Sequence, residues 1–397
     1  MLQPPLGRCW LLTGITGFLG SYLAAELLWR TGGRCKILAL VRDSDRASPL
    51  DRVVGSLEPL IGTDAFAAAR ESIKVLPGDV TLPRLGLDAA CYRSVSEQAS
   101  VVIHAAASIS FGAALDRSRA INVEGTRRVL ALVRDAARIG PAPRFVYVST
   151  AYVSGSEGGV LHANQLSLDR PFTNAYERSK AEAESLVREQ MSDLSATIIR
   201  PSIVIGDSIS GYTKELSTVY YGLRLIHHDL LPCAPDGALD CVPVDYVTRG
   251  ILAAACAPSA IGRTFHLTAG FERRLQWGRV APLLLDCVAR ATGKRPRHRV
   301  LSREDYLQHF ADRARLSPRQ QGVLEQFHLI YAPYLLQEPK DFQDEETRLL
   351  MGGDRPPEPD TMAPLIAGYC LETKWGTDPR GHSAFGQVIS APRRLCA

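Results

Sequence analysis

The sequence predicts an α/β protein: a doubly wound parallel sheet with helices on both faces, followed by a smaller, mainly helical C-terminal lobe. Three observations predict it. Short apolar runs alternate with amphipathic stretches through the first 205 residues, a glycine-spaced turn joins the first run to the first such stretch, and the alternation breaks after Gly206. Composition agrees with a globular chain, since the 397 residues are 46% hydrophobic and 22% charged. Disordered, collagen-like and mucin-like chains need other balances. A net charge of +4 is too mild for a nucleic-acid surface.

Runs of strand length fall at Cys9–Thr13, Ile37–Val41, Ile73–Leu76, Val101–Ala105, Phe145–Ser149 and Ala196–Ile199. Helical patterns lie between them, among them Gly20–Arg30, Asn122–Ala137 and Asn174–Met191. Short buried runs alternating with amphipathic helices point to a sheet covered on both sides. The first of these elements invites a misreading. Trp10–Leu28 is nineteen residues long with Glu26 as its single charge, close to the length of a membrane span or signal peptide. Gly14, Gly17 and Gly20 interrupt it at a strict spacing of three, and it reads as a strand, a turn and the start of a helix. No membrane span is expected.

Nine Cys are scattered and never form a Cys-x-x-Cys pair, so they read as reduced core thiols of a cytoplasmic protein, with no metal site.

The turn Thr13–Gly20 gives the sheet its Rossmann-type character. Residues without Cβ atoms let backbone N–H groups approach a pyrophosphate at a helix N-terminus. Gly14, Thr16, Gly17, Phe18, Leu19 and Gly20 are the expected contacts. At the end of the second strand, Arg42 stands where an acidic residue would hold a ribose 2′-hydroxyl. A guanidinium suits a 2′-phosphate, which favours NADP(H) over NAD(H). Asp43, one residue later, is the counter-signal.

Tyr176 and Lys180 are the only Tyr–Lys pair at i,i+4 in the chain, and only seven of the 46 basic residues are Lys. On a helix the two share a face. A nearby cation is expected to draw the phenol pKa down from about 10, as proton transfer requires. A strand ending Val148-Ser149-Thr150 lies 26 residues upstream of the tyrosine, counted from Thr150.

With these motifs, residues 8–290 resemble the extended branch of the short-chain dehydrogenase/reductase family. Further matches are Gly78-Asp79-Val80, His104-Ala105-Ala106-Ala107 and Asn122-Val123-Glu124-Gly125-Thr126. The resemblance places the catalytic hydroxyl on Thr150, five residues before Gly155, rather than on Ser149. It also implies cofactor contacts at Asp79, Val80, Ala105, Ala106, Ala107, Tyr176, Lys180, Pro201, Ser202 and Val204. Asn122 either completes a catalytic tetrad with Lys180 through water or caps its helix. Asp79 is alternatively a turn residue, and Asp245 reads as the N-cap of a Tyr246–Ala255 helix. Within the branch, Arg200-Pro201-Ser202-Ile203-Val204-Ile205-Gly206, Val242-Pro243-Val244-Asp245, Tyr331-Ala332-Pro333-Tyr334-Leu335 and Ser108-Ile109-Ser110-Phe111 look like fatty acyl-CoA reductases and the thioester reductase domains that release chains from carrier proteins.

That resemblance implies NADPH-dependent reduction of an acyl thioester, carried by coenzyme A or an acyl/peptidyl carrier protein, to an aldehyde, with further reduction to the alcohol left open. Two alternatives remain: a ketone/alcohol dehydrogenase of 3β-hydroxysteroid type, and a non-catalytic nucleotide sensor. A sensor has no need of Thr150, Tyr176 and Lys180 together. The expected organisation is a nucleotide-binding domain over 1–206, joined by a strand and helix from 238–270, a substrate lobe or lid over 207–378, and a flexible tail over 379–397. Helices are expected at Arg303–Arg315, Pro318–Leu336, Asp344–Met351 and Asp360–Thr373. His227 and His228 read as surface residues. Lys294-Arg295-Pro296-Arg297-His298-Arg299 is either a solvated connection or a contact for coenzyme A phosphates or an acidic carrier helix.

Overall fold

The structure, a computed structural model, describes residues 4, 7–217 and 219–377. The expected tail lies outside the described residues. Seven parallel strands form the central sheet: β1 (Cys9–Thr13), β2 (Lys36–Val41), β3 (Ile73–Pro77), β4 (Val101–His104), β5 (Arg144–Val148), β6 (Ala196–Pro201) and β7 (Thr264–Leu267). Their spatial order is β3-β2-β1-β4-β5-β6-β7. The order reverses at β1, which pairs with β2 on one side and β4 on the other, in register Thr13↔Leu40 and Thr13↔His104. In a doubly wound sheet the ligand crevice opens at that reversal, beyond the carboxyl ends of the strands.

The strands read as apolar runs because both faces are covered. Leu11, Leu38, Val102 and Phe145 face one layer of helices, and Trp10, Leu12, Ile37 and Ile103 face the other. Each such side chain, fully buried, contributes roughly 1.5–3 kcal/mol. On the first face lie the long helix Leu115–Ile139 and the helix Ala175–Arg188; on the second lie Phe18–Thr31 and Val244–Cys256.

The long helix begins seven residues before the expected Asn122, with Ala114 as its N-cap. Leu115–Ile121 is rich in charge and hides the apolar periodicity. Asn122 therefore sits inside the helix and is not a cap. Asp245 is likewise not the cap of its helix, whose N-cap is Pro243. Its carboxylate instead accepts bonds from the Ser208 N–H and hydroxyl at 2.9 and 2.7 Å and from Arg249 at 2.8 Å. The expected helix Pro318–Leu336 is broken into Pro318–Ile330 and Ala332–Leu336. Pro333 has no N–H to donate and crowds the preceding turn, which disfavours a continuous helix, and the break falls at Tyr331, two residues before it.

Beyond Gly206 a second core gathers Leu223, Leu284, Tyr306, Leu324, Phe327 and Ile366, and it includes Phe18 and Tyr22 of the first helix. Short strands tie this region back: Lys340–Phe342 pairs with Gly159–Leu161, and Arg299–Leu301 with Cys233–Pro235. In the basic cluster, Lys294 pairs with Asp229 at 2.5 Å and Arg295 with Asp286. His227 is half-buried against the Trp375 ring, whereas His228 is exposed. No described helix is long and apolar enough to cross a membrane, and the described residues hold no cluster of metal-ligand type.

Candidate active site

The glycine turn is shaped by close approach. Gly14 has φ +78°, and a Cβ there would lie 2.7 Å from the Ala106 nitrogen; one on Gly20 would overlap the Gly14 carbonyl oxygen. Gly17 caps the Phe18–Thr31 helix without a side-chain bond, and the first turn carries no acidic residue. The terminal N–H groups and the positive end of the helix dipole are thus left for an anion. This cradle, which side chains would fill, fits a dinucleotide pyrophosphate.

Three cations stand around the turn. Arg42 is exposed at the end of β2, and its carbonyl accepts a bond from Arg52. Arg52 also reaches the Thr16 hydroxyl at 3.4 Å. Lys214 donates to the Thr16 carbonyl and the Ser56 hydroxyl, each at 2.7 Å. Sequence reasoning misses Arg52 and Lys214. The readable signal for Arg52 is Ser48-Pro49-Leu50-Asp51, a helix start that sets the next residue beside the turn; Lys214 carries no local signal.

The remaining expected cofactor residues take defined places. The Asp79 carboxylate accepts the Thr81 N–H at 2.8 Å and so makes a turn, while Val80 packs against Gly125. Ala105, Ala106 and Ala107 follow β4, with the Ala106 N–H bonded to the Thr13 hydroxyl at 3.2 Å. Pro201 ends β6, the Ser202 N–H bonds the Leu267 carbonyl at 3.2 Å, and Val204 lies in a short strand paired with Cys241–Pro243.

Tyr176 and Lys180 lie in the first two turns of Ala175–Arg188, whose N-cap Asn174 accepts the Glu177 N–H at 3.0 Å. Lys180 is buried, donating to the Val148 carbonyl at 2.7 Å with its ammonium 4.3 Å from the centre of the Tyr147 ring. Burial pushes its pKa down to about 7, against a smaller pull from Glu184. Burial pushes Tyr176 up to about 12, opposed by a hydrogen bond with Thr150 and reinforced by Glu177. The expected lowering of the phenol by Lys180 is not seen: desolvation dominates, Lys180 is not among the groups that shift Tyr176, and its ammonium is engaged with a backbone carbonyl.

Ser149 and Thr150 part ways. Ser149 donates to the buried Glu184 at 2.6 Å, within a network in which Glu184 also pairs with Arg200 at 2.6 Å and Arg188 at 2.8 Å. Thr150 is buried beside Tyr176 and donates to the Pro201 carbonyl at 3.3 Å. Asn122 clamps the following loop, accepting the Ser108 N–H at 2.7 Å and donating to the Ser108 carbonyl at 3.1 Å and to Ser179 at 2.9 Å. The structure thus brings Thr150 and Tyr176 together, sets Lys180 behind them and holds Asn122 one contact away through Ser179. Phe111, Tyr334 and Tyr152 form an aromatic wall beside Tyr176, with Phe111 5.9 Å from the Tyr176 ring centre.

Together the strand order, the turn and the Thr–Tyr–Lys grouping define an oxidoreductase-type fold of the short-chain dehydrogenase/reductase kind that carries a nicotinamide nucleotide. The chain belongs to the NAD-binding family described as male sterility protein, which matches residues 12–251. It is similar to nonribosomal peptide synthetase asaC of Aspergillus flavus, 29% identical over 271 residues, or 64% of this chain and 26% of that one. It is also 29% identical over 269 residues to glycine betaine reductase ATRR of Emericella nidulans, covering 65% and 20% of the two chains. Fatty acyl-CoA reductase wat of Drosophila melanogaster is 27% identical over 287 residues, covering 62% and 53%. The chain thus spans well under two thirds of these relatives' own lengths. Among solved structures, the terminal R domain from the myxalamid PKS-NRPS biosynthetic pathway has a TM-score of 0.78 and 27% identity, covering 94% of this chain and 92% of that one.

Proposed function

We propose that the protein reduces an acyl thioester to an aldehyde with NADPH. The observation that carries this reading is the Thr150–Tyr176 pair, two hydroxyls held together at the carboxyl edge of the sheet with Lys180 behind them. Support for the substrate class comes from kinship with a fatty acyl-CoA reductase and with a nonribosomal peptide synthetase. Arg42, Arg52 and Lys214 support a 2′-phosphate, so NADPH is the cofactor of choice.

The cradle Gly14–Gly20 and the helix N-terminus would hold the pyrophosphate, with Asp79, Val80, Ala105–Ala107, Pro201, Ser202 and Val204 along the remainder. The bound nicotinamide supplies a hydride. Thr150 and Tyr176 donate hydrogen bonds to the thioester oxygen as it gains charge, each such donor being worth about 3–4 kcal/mol in the transition state. Tyr176, a phenol that is protonated at neutral pH and that burial makes harder still to ionise, gives its proton to that oxygen. Lys180, through its bond to Val148, anchors the strand end that carries Thr150 and stands ready to return a proton to Tyr176. Collapse of the hemithioacetal passes its hydroxyl proton back to the Tyr176 phenolate and breaks the C–S bond, releasing the aldehyde and a thiolate that takes a proton from solvent. On this reading residues 1–206 with 238–270 hold the dinucleotide, and the rest of the expected lobe, 207–378, covers the acyl chain, which coenzyme A or a carrier protein delivers.

The test is incubation with NADPH and a panel of acyl-coenzyme A and acyl-carrier thioesters, following cofactor absorbance and free thiol together. Equal amounts of thiol and oxidised cofactor are expected at the aldehyde stage. Cofactor oxidation without thiol would sink the thioester reading. Tyr176→Phe should lower kcat by roughly 100-fold or more, the scale of a lost proton donor.

A further inference from the structure

Two residues of the C-terminal lobe grip the first turn of the helix that carries Tyr176. The Tyr334 hydroxyl donates to Glu177 Oε1 at 2.6 Å and accepts from Asn174 Nδ2 at 2.7 Å. Gln337 Nε2 donates to the Thr173 hydroxyl at 3.0 Å. Glu177 is fully buried, and its second oxygen accepts the Thr173 N–H at 3.0 Å. The three gripped residues, Thr173, Asn174 and Glu177, bracket Tyr176 in sequence.

The grip also works through the rings. Tyr334 stacks on Phe111 with centres 5.8 Å apart, and Phe111 meets the Tyr176 ring at 5.9 Å. Tyr152, two residues beyond Thr150, meets Tyr334 edge-on at 5.3 Å, and its N–H is bonded to the Thr150 hydroxyl at 3.3 Å. One side chain of the lobe thus touches the surroundings of both catalytic hydroxyls, through a carboxylate on one side and through ring packing on the other.

A buried carboxylate demands donors, because an ionised oxygen stripped of water is costly unless bonded. Of the groups facing Glu177, the Thr173 N–H and hydroxyl belong to the approach to the helix itself, whereas the Tyr334 hydroxyl and the more distant Lys340 charge come from elements far along the chain. Removing that hydroxyl takes from Glu177 Oε1 its 2.6 Å donor and from Asn174 its acceptor, leaving the Thr173 groups to hold the carboxylate, and the first turn is free to shift. The chemistry tolerates little such movement, since a misplacement near 1 Å can cost on the order of 100-fold.

We propose that Tyr334 is a positioning residue for the reaction: through Glu177, Asn174 and Phe111 it fixes the place of Tyr176, so that turnover depends on how the C-terminal lobe is seated. The proposal rests on the reading of Tyr176 as proton donor.

Tyr334→Phe in the full chain tests it, because it keeps the ring against Phe111 and Tyr152 and deletes only the hydroxyl. Two substrates are run with NADPH: decanoyl-coenzyme A, read by free thiol, and decanal, which needs the same hydride and proton transfer without a leaving thiol. The number of NADPH-binding chains is measured by fluorescence titration, and kcat is expressed per binding chain. The expected result is a fall of roughly 10- to 100-fold in kcat per binding chain, with KM for NADPH within about two-fold of wild type. Phe111→Leu, which breaks the ring relay alone, should fall in the same direction. A merely structural Tyr334 would reduce the number of binding chains and leave kcat per binding chain untouched. That outcome, or wild-type kinetics for Tyr334→Phe, overturns the positioning role. Wild-type reduction of decanal without thiol release from decanoyl-coenzyme A or from any acyl-carrier thioester of the panel overturns the thioester reading instead, and Tyr334 is then judged on the aldehyde. A wild type inert toward the aldehyde and every thioester overturns both.

Discussion

At Lys180, burial and function pull in opposite directions. An ammonium inside the protein is destabilised relative to water, and its pKa falls to about 7 from an ordinary value near 10.4. Between those values the unfolded chain binds a proton that the native chain lacks, so this residue makes stability rise with pH from about 7 to about 10. Its stabilising contribution is complete above the unfolded pKa and is lost as pH falls through the folded one. Lys180→Met should remove that slope, abolish turnover, and at pH 6 melt at or above the wild-type temperature; thermal unfolding across pH checks it. The cations around the glycine turn give a second prediction. Arg42→Ala and Arg52→Ala should each weaken NADPH binding by roughly 10- to 100-fold, the value of a charge-assisted bond, and NADH by less than about two-fold. Equal losses for both cofactors in a titration would remove the arginine from the 2′-phosphate site. The glycines and the Tyr176/Lys180 pair were legible in the sequence because their geometry is local, set by spacing on one turn or one helix. Lys214 was not, since it reaches Thr16 across a separation of 198 residues.

Among the elements, β5 and the Ala175–Arg188 helix decide which hydroxyl faces Tyr176. Side chains alternate across an extended chain, so Ser149 and Thr150 go to opposite sides: one to Glu184, the other toward Tyr176. Neighbours in sequence thus acquire separate duties. Thr150→Ala should lower kcat by roughly 100-fold with little change in melting, whereas Ser149→Ala should act on melting instead. For Glu184, burial would raise the pKa, but Arg200, Arg188 and Ser149 together hold it well below the usual carboxylate range. Its contribution is therefore complete above an ordinary carboxylate pKa of about 4 and is lost as pH falls below that. Glu184→Gln leaves Arg200 buried without its counter-charge, an expected loss of roughly 3–5 kcal/mol by denaturant unfolding at pH 7. The strands, being short uniform apolar runs, were readable to within a few residues. The start of the long helix at Leu115 was not, because its first two turns carry Asp116, Arg117 and Arg119 in place of an apolar stripe.

At the scale of the whole molecule, the chain crosses back over the boundary that the change of pattern at Gly206 suggests. β7 pairs with β6 at the sheet edge, and Val244–Cys256 covers the second face, packing on the Phe18–Thr31 helix. That first helix belongs to both cores: Leu23 and Leu27 face the sheet, while Phe18 and Tyr22 lie among the apolar residues of the C-terminal lobe. The Tyr22 hydroxyl is bonded to Asp207 at 3.0 Å, and Tyr369 to the Thr213 carbonyl at 3.2 Å. The helix that opens at the glycine turn is therefore buried on one side by residues far downstream. Such double use is invisible in sequence, where Phe18 and Tyr22 look like any apolar stripe. It also forbids a simple cut. A fragment ending at Gly206 would expose Phe18, Tyr22 and the sheet face beneath Val244–Cys256, apolar surface that a folded domain does not tolerate in water. Expressed alone, residues 1–206 should lack a cooperative thermal transition and bind no NADPH, although they contain every glycine of the cradle and both Tyr176 and Lys180. The full chain should unfold in one transition that NADPH raises as a unit, because a ligand bound only to the native state stabilises everything coupled to it. Circular dichroism melts with and without NADPH distinguish the cases: two separate transitions in the full chain, with only the first moved by nucleotide, would show that the shared helix does not couple the lobes.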